Sequence, residues 1–244
     1  MSRGHSPDEF PAGQEKAAYV RRMFDAIVPR YDTMNRLMTG GRDEAWRRQT
    51  ARLVGLPAGG RVLDVAAGTS DLSLALARRH PTAGVVALDF SLGMLAHGRA
   101  KVRRRREEAR IAFLAGDALR LPFSDDTFDA VTSGFLMRNV IDVEGAFAEM
   151  RRVARPGGRV VCLEISKPTF PLFSRAFWWY LTVLVPLVGR VVSGHGEAYR
   201  YLPDSVARFV SADELKRRME RAGLRDVTYR RLMLGSVAIH VGYK

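Results

Sequence analysis

The chain has 244 residues, enough to bury a full core as one large domain or as one domain with a modest extension, and its 47% hydrophobic and 27% charged residues are those of an ordinary soluble globule. A single cysteine, Cys162, excludes a disulfide framework and a Cys/His metal cluster, so no metal site is expected; it reads as a small core residue in a reducing compartment. The net charge of +13 is out of the ordinary and implies an anionic partner, either nucleic acid or a membrane surface rich in acidic lipid.

Residues 1–14 lack an apolar core of signal-peptide length and read as a flexible cytoplasmic tail. From Glu15 to Arg52 the pattern is helical, a cap over residues 15–56: Tyr19, Met23, Phe24 and Ile27 fall at helical spacing, Pro29 is expected to end that helix, and a second helix carries Trp46, Leu53 and Val54. The linking YDTMNRLMTGG mixes aromatic, acid, amide and thioether groups, an odd composition for a plain connection. Over 57–166 strands and helices alternate. Strands are expected at 61–66, 84–89, 111–115, 129–133 and 158–164, with helices near 70–79, 91–106 and 143–154, the signature of an α/β fold with a mostly parallel sheet and helices on both faces. The Arg103–Arg106 run suits the negative end of a helix.

Residues 167–205 break this alternation. The uncharged run between Arg175 and Arg190 is shorter than the roughly twenty apolar residues that span a bilayer, and Pro186 interrupts it. Trp178, Trp179 and Tyr180, bordered by arginines, suit a wall for an apolar ligand or a contact with the bilayer interface; a helix packed on the sheet edge is equally compatible. A helix and two antiparallel strands, near 226–232 and 236–243, close the chain over 206–244, so that residues 15–244 form a single seven-stranded domain.

Within the core, RVLDVAAGTSDLSLALARR (Arg61–Arg79) reads as a buried strand, a tight turn and a helix, the order that makes a ligand site. Ala66, Ala67, Gly68, Thr69 and Ser70 let backbone N–H groups at a helix N-terminus approach a ligand closely. The G-x-G-x-x-G spacing of a dinucleotide site is absent, and Asp64 would repel a diphosphate but suits a ligand with an ammonium group. With Asp64, Ala66, Gly68 and Ser70 at the fixed positions of D-x-G-x-G-x-G, the stretch resembles the first motif of class I S-adenosylmethionine (SAM) methyltransferases with their Rossmann-like sheet. A core strand and turn without a ligand is the plainer alternative. Ligands of open parallel sheets lie beyond the carboxyl ends of the strands. There Asp89 is placed to accept both hydroxyls of a ribose, and Asp117 and Ala118 to meet an adenine edge; Thr69 and Ser133 complete the candidate cofactor set.

Further motifs resemble the menaquinone/ubiquinone biosynthesis C-methyltransferase family (UbiE/MenG). Tyr31-Asp32, Met34-Asn35 and Trp46 match its N-terminal signature; Arg152-Val153, Pro156-Gly157-Gly158, Glu164 and Ser166 match its second. Arg138-Asn139-Val140, Tyr199, Tyr201-Leu202, Ser205 and the ending Ala238-Ile239-His240 with Gly242 and Lys244 also fit. Departures are Asp43 where the signature has His, Thr39 where it has Ser, and Gly134 where some members have a cofactor-contacting Ser; Ala66-Ala67 and Asp43 are closer to menaquinone-type members. The resemblance implies SAM-dependent methylation of a ring carbon of a demethylated prenyl-quinol, most simply demethylmenaquinol, by a cytoplasmic enzyme with peripheral access to an anionic membrane. Naphthoquinol versus benzoquinol, and a homodimer versus a monomer, stay open.

Chemically, the protein must align the ring carbon with the methyl and help a ring hydroxyl become phenolate. Arg138 is too basic to be the base, so it is expected to stabilise the phenolate or orient a water, with Asn139 as positioning donor and Tyr31 or Asp32 closing the substrate side. His240 and His195 are open as bases, though histidines placed by sequence alone are more often structural. A small-molecule O- or N-methyltransferase would share the cofactor residues. A basic RNA- or membrane-binding module is the non-enzymatic rival; the missing Asn-Pro-Pro-aromatic motif after the fourth strand and the absence of aromatics among the basic runs argue against nucleic acid.

Overall fold

The computed structural model describes residues 13–193 and 196–244. The tail assigned to 1–14 therefore lies outside the described residues except for its last two positions, which open the first helix, and His195 lies outside them too. Seven strands form one sheet in the order β3-β2-β1-β4-β5-β7-β6. β1 (Arg61–Val65), β2 (Gly84–Asp89), β3 (Ile111–Ala115), β4 (Phe128–Gly134) and β5 (Ala154–Ile165) run parallel, while β7 (Val237–Tyr243) pairs antiparallel with both β5 and β6 (Arg225–Leu232). The order reverses at β1, between β2 and β4, and the crevice at the carboxyl ends of these strands is where an open α/β sheet holds a ligand.

Alternation along the buried strands feeds two cores. Leu63, Val65, Val160 and Cys162 face one side with Phe147 and Met150 of α5 (Val143–Val153) and Leu215 and Met219 of α9 (Ala212–Arg221). Val62, Val161 and Leu163 face the other, under Trp46 and Ala51 of α2 (Arg42–Val54), Leu72 and Leu76 of α3 (Asp71–Arg79) and Val102 of α4 (Leu92–Arg104). Ser91, Asp142 and Ser211 cap α4, α5 and α9 by accepting from Met94, Gly145 and Glu214 backbone N–H groups. Burial pushes the Cys162 thiol far above its ordinary value, in keeping with an inert core residue.

Two proline expectations are corrected. α1 (Gly13–Thr39) runs for 27 residues straight through Pro29. Val20, Ile27, Val28 and Met34 are buried on both sides of the proline, and this continuous packing offsets the cost of roughly 3 kcal/mol that an interior proline carries. YDTMNRLMT is thus helical, and only Gly40 and Gly41, both left-handed (φ 57° and 74°), make the turn into α2. Likewise Pro186 does not break the insertion: α6 (Pro171–Trp179), a π-helical turn (Tyr180–Leu184) and α7 (Val185–Ser193) follow without a gap. The wider turn lies immediately before the proline, where a regular ladder would be interrupted. As a result Pro171–Arg190 is long and apolar enough to cross a membrane by length and composition, against the expectation of too short a run. Its Leu181 and Val185 nonetheless pack with Ile27 and Met34 of α1 and Tyr199 and Val206 of α8 (Gly196–Arg208) in a third cluster that roofs the strand ends.

Candidate functional site

At the switch point the backbone after β1 turns sharply, with Ala66, Gly68 and Ser70 all at positive φ (56°, 55° and 68°). The chain keeps a glycine-like path with alanine and serine at two of the three positions, at a cost of roughly 1–2 kcal/mol each. Asp64 lies beneath this turn rather than in the cavity above it. Its Oδ2 accepts from Ser73 Oγ at 2.6 Å and its Oδ1 from Thr132 Oγ1 at 3.1 Å, and burial pushes its carboxyl up to about 6.

Above the turn is a cavity of about 450 Å³ whose walls include Gly68, Asp89, Asp117 and Ala118, the expected cofactor residues, with Leu88, Phe90, Met94 and Leu136. Asp89 ends β2 and is buried, which raises its pKa. It accepts from Gly68 N at 2.8 Å and Ser91 N at 2.9 Å, so it organises the turn as well as facing the cavity. Asp117 accepts from Leu119 N at 2.9 Å, which turns the chain so that Ala118 reaches the same wall. Ser133 and Thr69 are buried away from the cavity, where Gly134 supplies the wall instead. A carboxylate pair, a left-handed glycine and apolar faces together fit a nucleoside carrying a cation.

Asp32 and Thr69 form a clasp. Thr69 Oγ1 donates to Asp32 Oδ1 at 2.5 Å, and Lys101 Nζ reaches Asp32 Oδ2 at 2.5 Å and Asp71 Oδ1 at 2.8 Å. α1 is thereby fastened over the turn, with Ala17, Val20 and Phe24 roofing the cavity. At the other side of α1, Lys16 Nζ donates to the carbonyls of Arg138 and Val140 at 2.9 and 3.1 Å.

A second cavity, about 420 Å³, adjoins the first at Tyr31 and Phe135. Met38, Trp46, Phe177, Leu181, Val185 and Leu202 make it mainly apolar, and Asn35, Asp43, Arg47 and Arg138 bring the polar groups. Phe135 follows β4 at φ 62°, a strained conformation for an aromatic residue, and its carbonyl accepts from Arg138 Nη1 at 2.8 Å and Asn139 Nδ2 at 3.2 Å. Arg138 Nη1 also pairs with Glu164 Oε1 at 2.6 Å, and Glu164 is only 1% exposed. Tyr201 OH donates to Asn139 Oδ1 at 3.2 Å. Tyr31, Arg138 and Asn139 thus meet where the cavities join, whereas Asp32 stands outside both. Sequence reasoning missed Phe135 and Arg47. The Gly-Phe step at the end of β4 was the available signal for the first; Arg47 sits among so many arginines that only its burial distinguishes it.

His240 is no part of this site. It lies in β7, stacked 5.0 Å from Tyr229, with Nε2 2.9 Å from Ala212 O, and burial lowers its pKa to about 4.

Known proteins resemble the chain along nearly its whole length. The model described as the ubiE/COQ5 methyltransferase family matches residues 12–244. A demethylmenaquinone methyltransferase of Roseiflexus sp. (strain RS-1) is 46% identical over 96% of this chain and 97% of its own. A ubiquinone/menaquinone biosynthesis C-methyltransferase UbiE of Geobacter sulfurreducens is 44% identical over 94% and 90%. Among solved structures, a SAM-dependent methyltransferase from Thermotoga maritima superposes with a TM-score of 0.66 at 18% identity, covering 91% of this chain and 98% of that one, a likeness of fold.

Proposed function

The chain belongs to the ubiE/COQ5 methyltransferase family, and from that premise we propose that it methylates a ring carbon of demethylmenaquinol, forming menaquinol. The observation that carries this reading is the pair of adjoining cavities, one furnished for a nucleoside and one mainly apolar, with Tyr31 and Phe135 as their shared wall. The methyl donor is S-adenosylmethionine, which when bound supplies a methyl group already electrophilic on its sulfonium. Asp89 and Asp117 are assigned to its ribose and adenine, Gly68 and Ala118 to close backbone approach, Asp64 to support of that cradle from below, and Thr69 to fastening α1 over it.

On the acceptor side, Tyr31 and Phe135 position the ring and exclude water. Arg138, oriented by Glu164 and the Phe135 carbonyl, is assigned to hold negative charge as it develops on a ring oxygen, with Asn139 fixed by Phe135 O and Tyr201 as its positioning partner. The alternative of a smaller O- or N-acceptor is disfavoured by the size and apolar lining of the second cavity.

A prenyl-quinol resides in lipid, and two surfaces support its capture from an anionic membrane by a cytoplasmic, peripherally bound enzyme. Leu172, Trp179, Val183 and Leu187 expose an apolar side of α6–α7. Beside the acceptor cavity, and sharing Arg47 with it, a cleft of about 510 Å³ gathers Arg36, Arg48, Arg52, Arg78, Arg79, Arg104 and Arg105. Incubation with methyl-labelled SAM and demethylmenaquinol tests the whole reading. Mass spectrometry is expected to place the label on the ring carbon; label on an oxygen, or none, would overturn it.

A further inference from the structure

Among the residues lining the acceptor cavity, Arg138 Nε is one buried polar atom without a hydrogen-bond partner among the described residues, and Asp43 Oδ2 and Arg47 Nε are two more. The latter two belong to side chains one turn apart on α2, they lie 3.7 Å from each other, and Asp43 is only 1% exposed. Asp43 Oδ1 is already committed, accepting from Thr39 Oγ1 at 3.0 Å, so the other oxygen is left with an ion pair to Arg47 that is too long for a hydrogen bond. An ion pair at that distance leaves the Asp43 acceptor and the Arg47 donor each short of a hydrogen bond, which costs free energy in a buried setting. A hydroxyl satisfies both atoms at once, because its oxygen accepts from an N–H while its own proton is donated to a carboxylate. The Arg47 guanidinium also lies 5.5 Å from the centre of the Phe135 ring, the wall between acceptor and methyl donor.

We propose that Asp43 and Arg47 form the acceptor's hydroxyl site, Asp43 Oδ2 taking the proton and Arg47 Nε–H holding the oxygen. This deepens the quinol reading and rests on it. The hydroxyl O–H bond breaks, its proton passes to Asp43, and its electrons feed the ring, whose carbon forms the new bond to the methyl while the S–CH3 bond leaves its electron pair on sulfur. Loss of the hydrogen from that ring carbon restores aromaticity, and the ring oxygen regains a proton. Overall one proton is released for each methyl transferred, and nothing is oxidised or reduced. Asp43 is thus a catalytic residue in this scheme, separate from Arg138, which is engaged with Glu164.

The simpler role for an acid in the first turn of α2 is to offset the helix dipole, and the two roles separate by measurement. Asp43→Asn should lower kcat by about 10²-fold or more while the Kd for SAM and for a redox-stable prenyl-naphthol stay within about threefold. Added formate should restore turnover to Asp43→Ala in proportion to its concentration, which a dipole role would not do. Retention of kcat within threefold in Asp43→Asn, or a loss that tracks a fall in Tm and resists formate, would overturn the proposal. Failure of the wild-type enzyme to methylate the quinol would instead overturn the underlying function.

Discussion

The cofactor cavity takes its polar groups from the carboxyl ends of neighbouring strands, so each functional residue is fixed by a turn a few residues long: Gly68 after β1, Asp89 at the end of β2, Asp117 after β3. The acceptor cavity draws on α1, α2, the loop after β4, α6–α7 and α8, stretches separated by up to two hundred residues. The first is held by backbone hydrogen bonds, such as Gly68 N and Ser91 N to Asp89. The second depends on side chains bonding to side chains, Arg138 to Glu164 and Tyr201 to Asn139, and on apolar helix packing. Damage to one cavity should therefore spare binding in the other, and the joining residues should show in kcat.

Arg138→Ala is expected to have the largest consequence. Turnover should fall by 10²-fold or more while the Kd for SAM stays within threefold, since the charge it meets develops during reaction. Glu164 would be left buried without its partner, a loss of about 3–5 kcal/mol seen in denaturant titration. The double variant Arg138→Gln with Glu164→Gln removes both charges and should regain most of that stability without regaining turnover. Survival of kcat within threefold, or collapse of SAM affinity, would refute the role. Asp89→Ala comes next. Loss of charge-assisted bonds worth roughly 1.5–3 kcal/mol each should weaken SAM at least tenfold by calorimetry, leaving acceptor binding unchanged. An unaltered Kd would remove Asp89 from the cofactor site.

The same contrast explains what could be read from the sequence. The turn after β1, the acids at 89 and 117 and all seven strands were legible because short apolar, β-branched runs and small-residue turns are local signals. Pro29 and Pro186 misled, since a local helix-breaking rule cannot see that Ile27 and Met34 on one side, and Leu181 and Val185 on the other, pack against each other across the roof. Asp64 and Thr69 show the converse: the motif located the turn, but only the fold reveals that these side chains brace it from outside the cavity. Arg47 and Phe135 acquire meaning through tertiary position alone, one by burial and the other by a left-handed backbone.

His240 offers a control lying outside both cavities. Its pKa is lowered in the fold to about 4 from the ordinary 6.5, so the unfolded chain binds the extra proton first as pH falls through that window. Stability is therefore lost from pH 6.5 downward, by roughly 2 kcal/mol at pH 5. His240→Gln, which keeps a donor for Ala212 O, should flatten that part of the Tm–pH curve without changing kcat at pH 7.5. The buried Asp64, raised to about 6, acts in the opposite direction and is common to both proteins, so the difference curve isolates the histidine. A variant as acid-sensitive as the parent, or one with impaired turnover, would contradict this placement.

The smallest effect is expected at the surface of the acceptor half, where the two adjacent tryptophans have different surroundings. Trp178 packs with Phe177, ring centres 5.7 Å apart, within the roof cluster, whereas Trp179 is 60% exposed. Trp178→Ala should chiefly lower stability, as removal of a packed aromatic does. Trp179→Ala should leave stability and SAM affinity unchanged while weakening binding to vesicles of anionic lipid and raising KM for a long-tailed quinol about threefold, with a short-tailed analogue unaffected. Vesicle binding should also weaken as salt rises, because screening shortens the reach of the arginine-rich cleft to about a Debye length, roughly 8 Å at physiological ionic strength. If KM changes equally for both tail lengths, Trp179 acts through the cavity wall; if vesicle binding is indifferent to both salt and the substitution, this face does not meet the membrane.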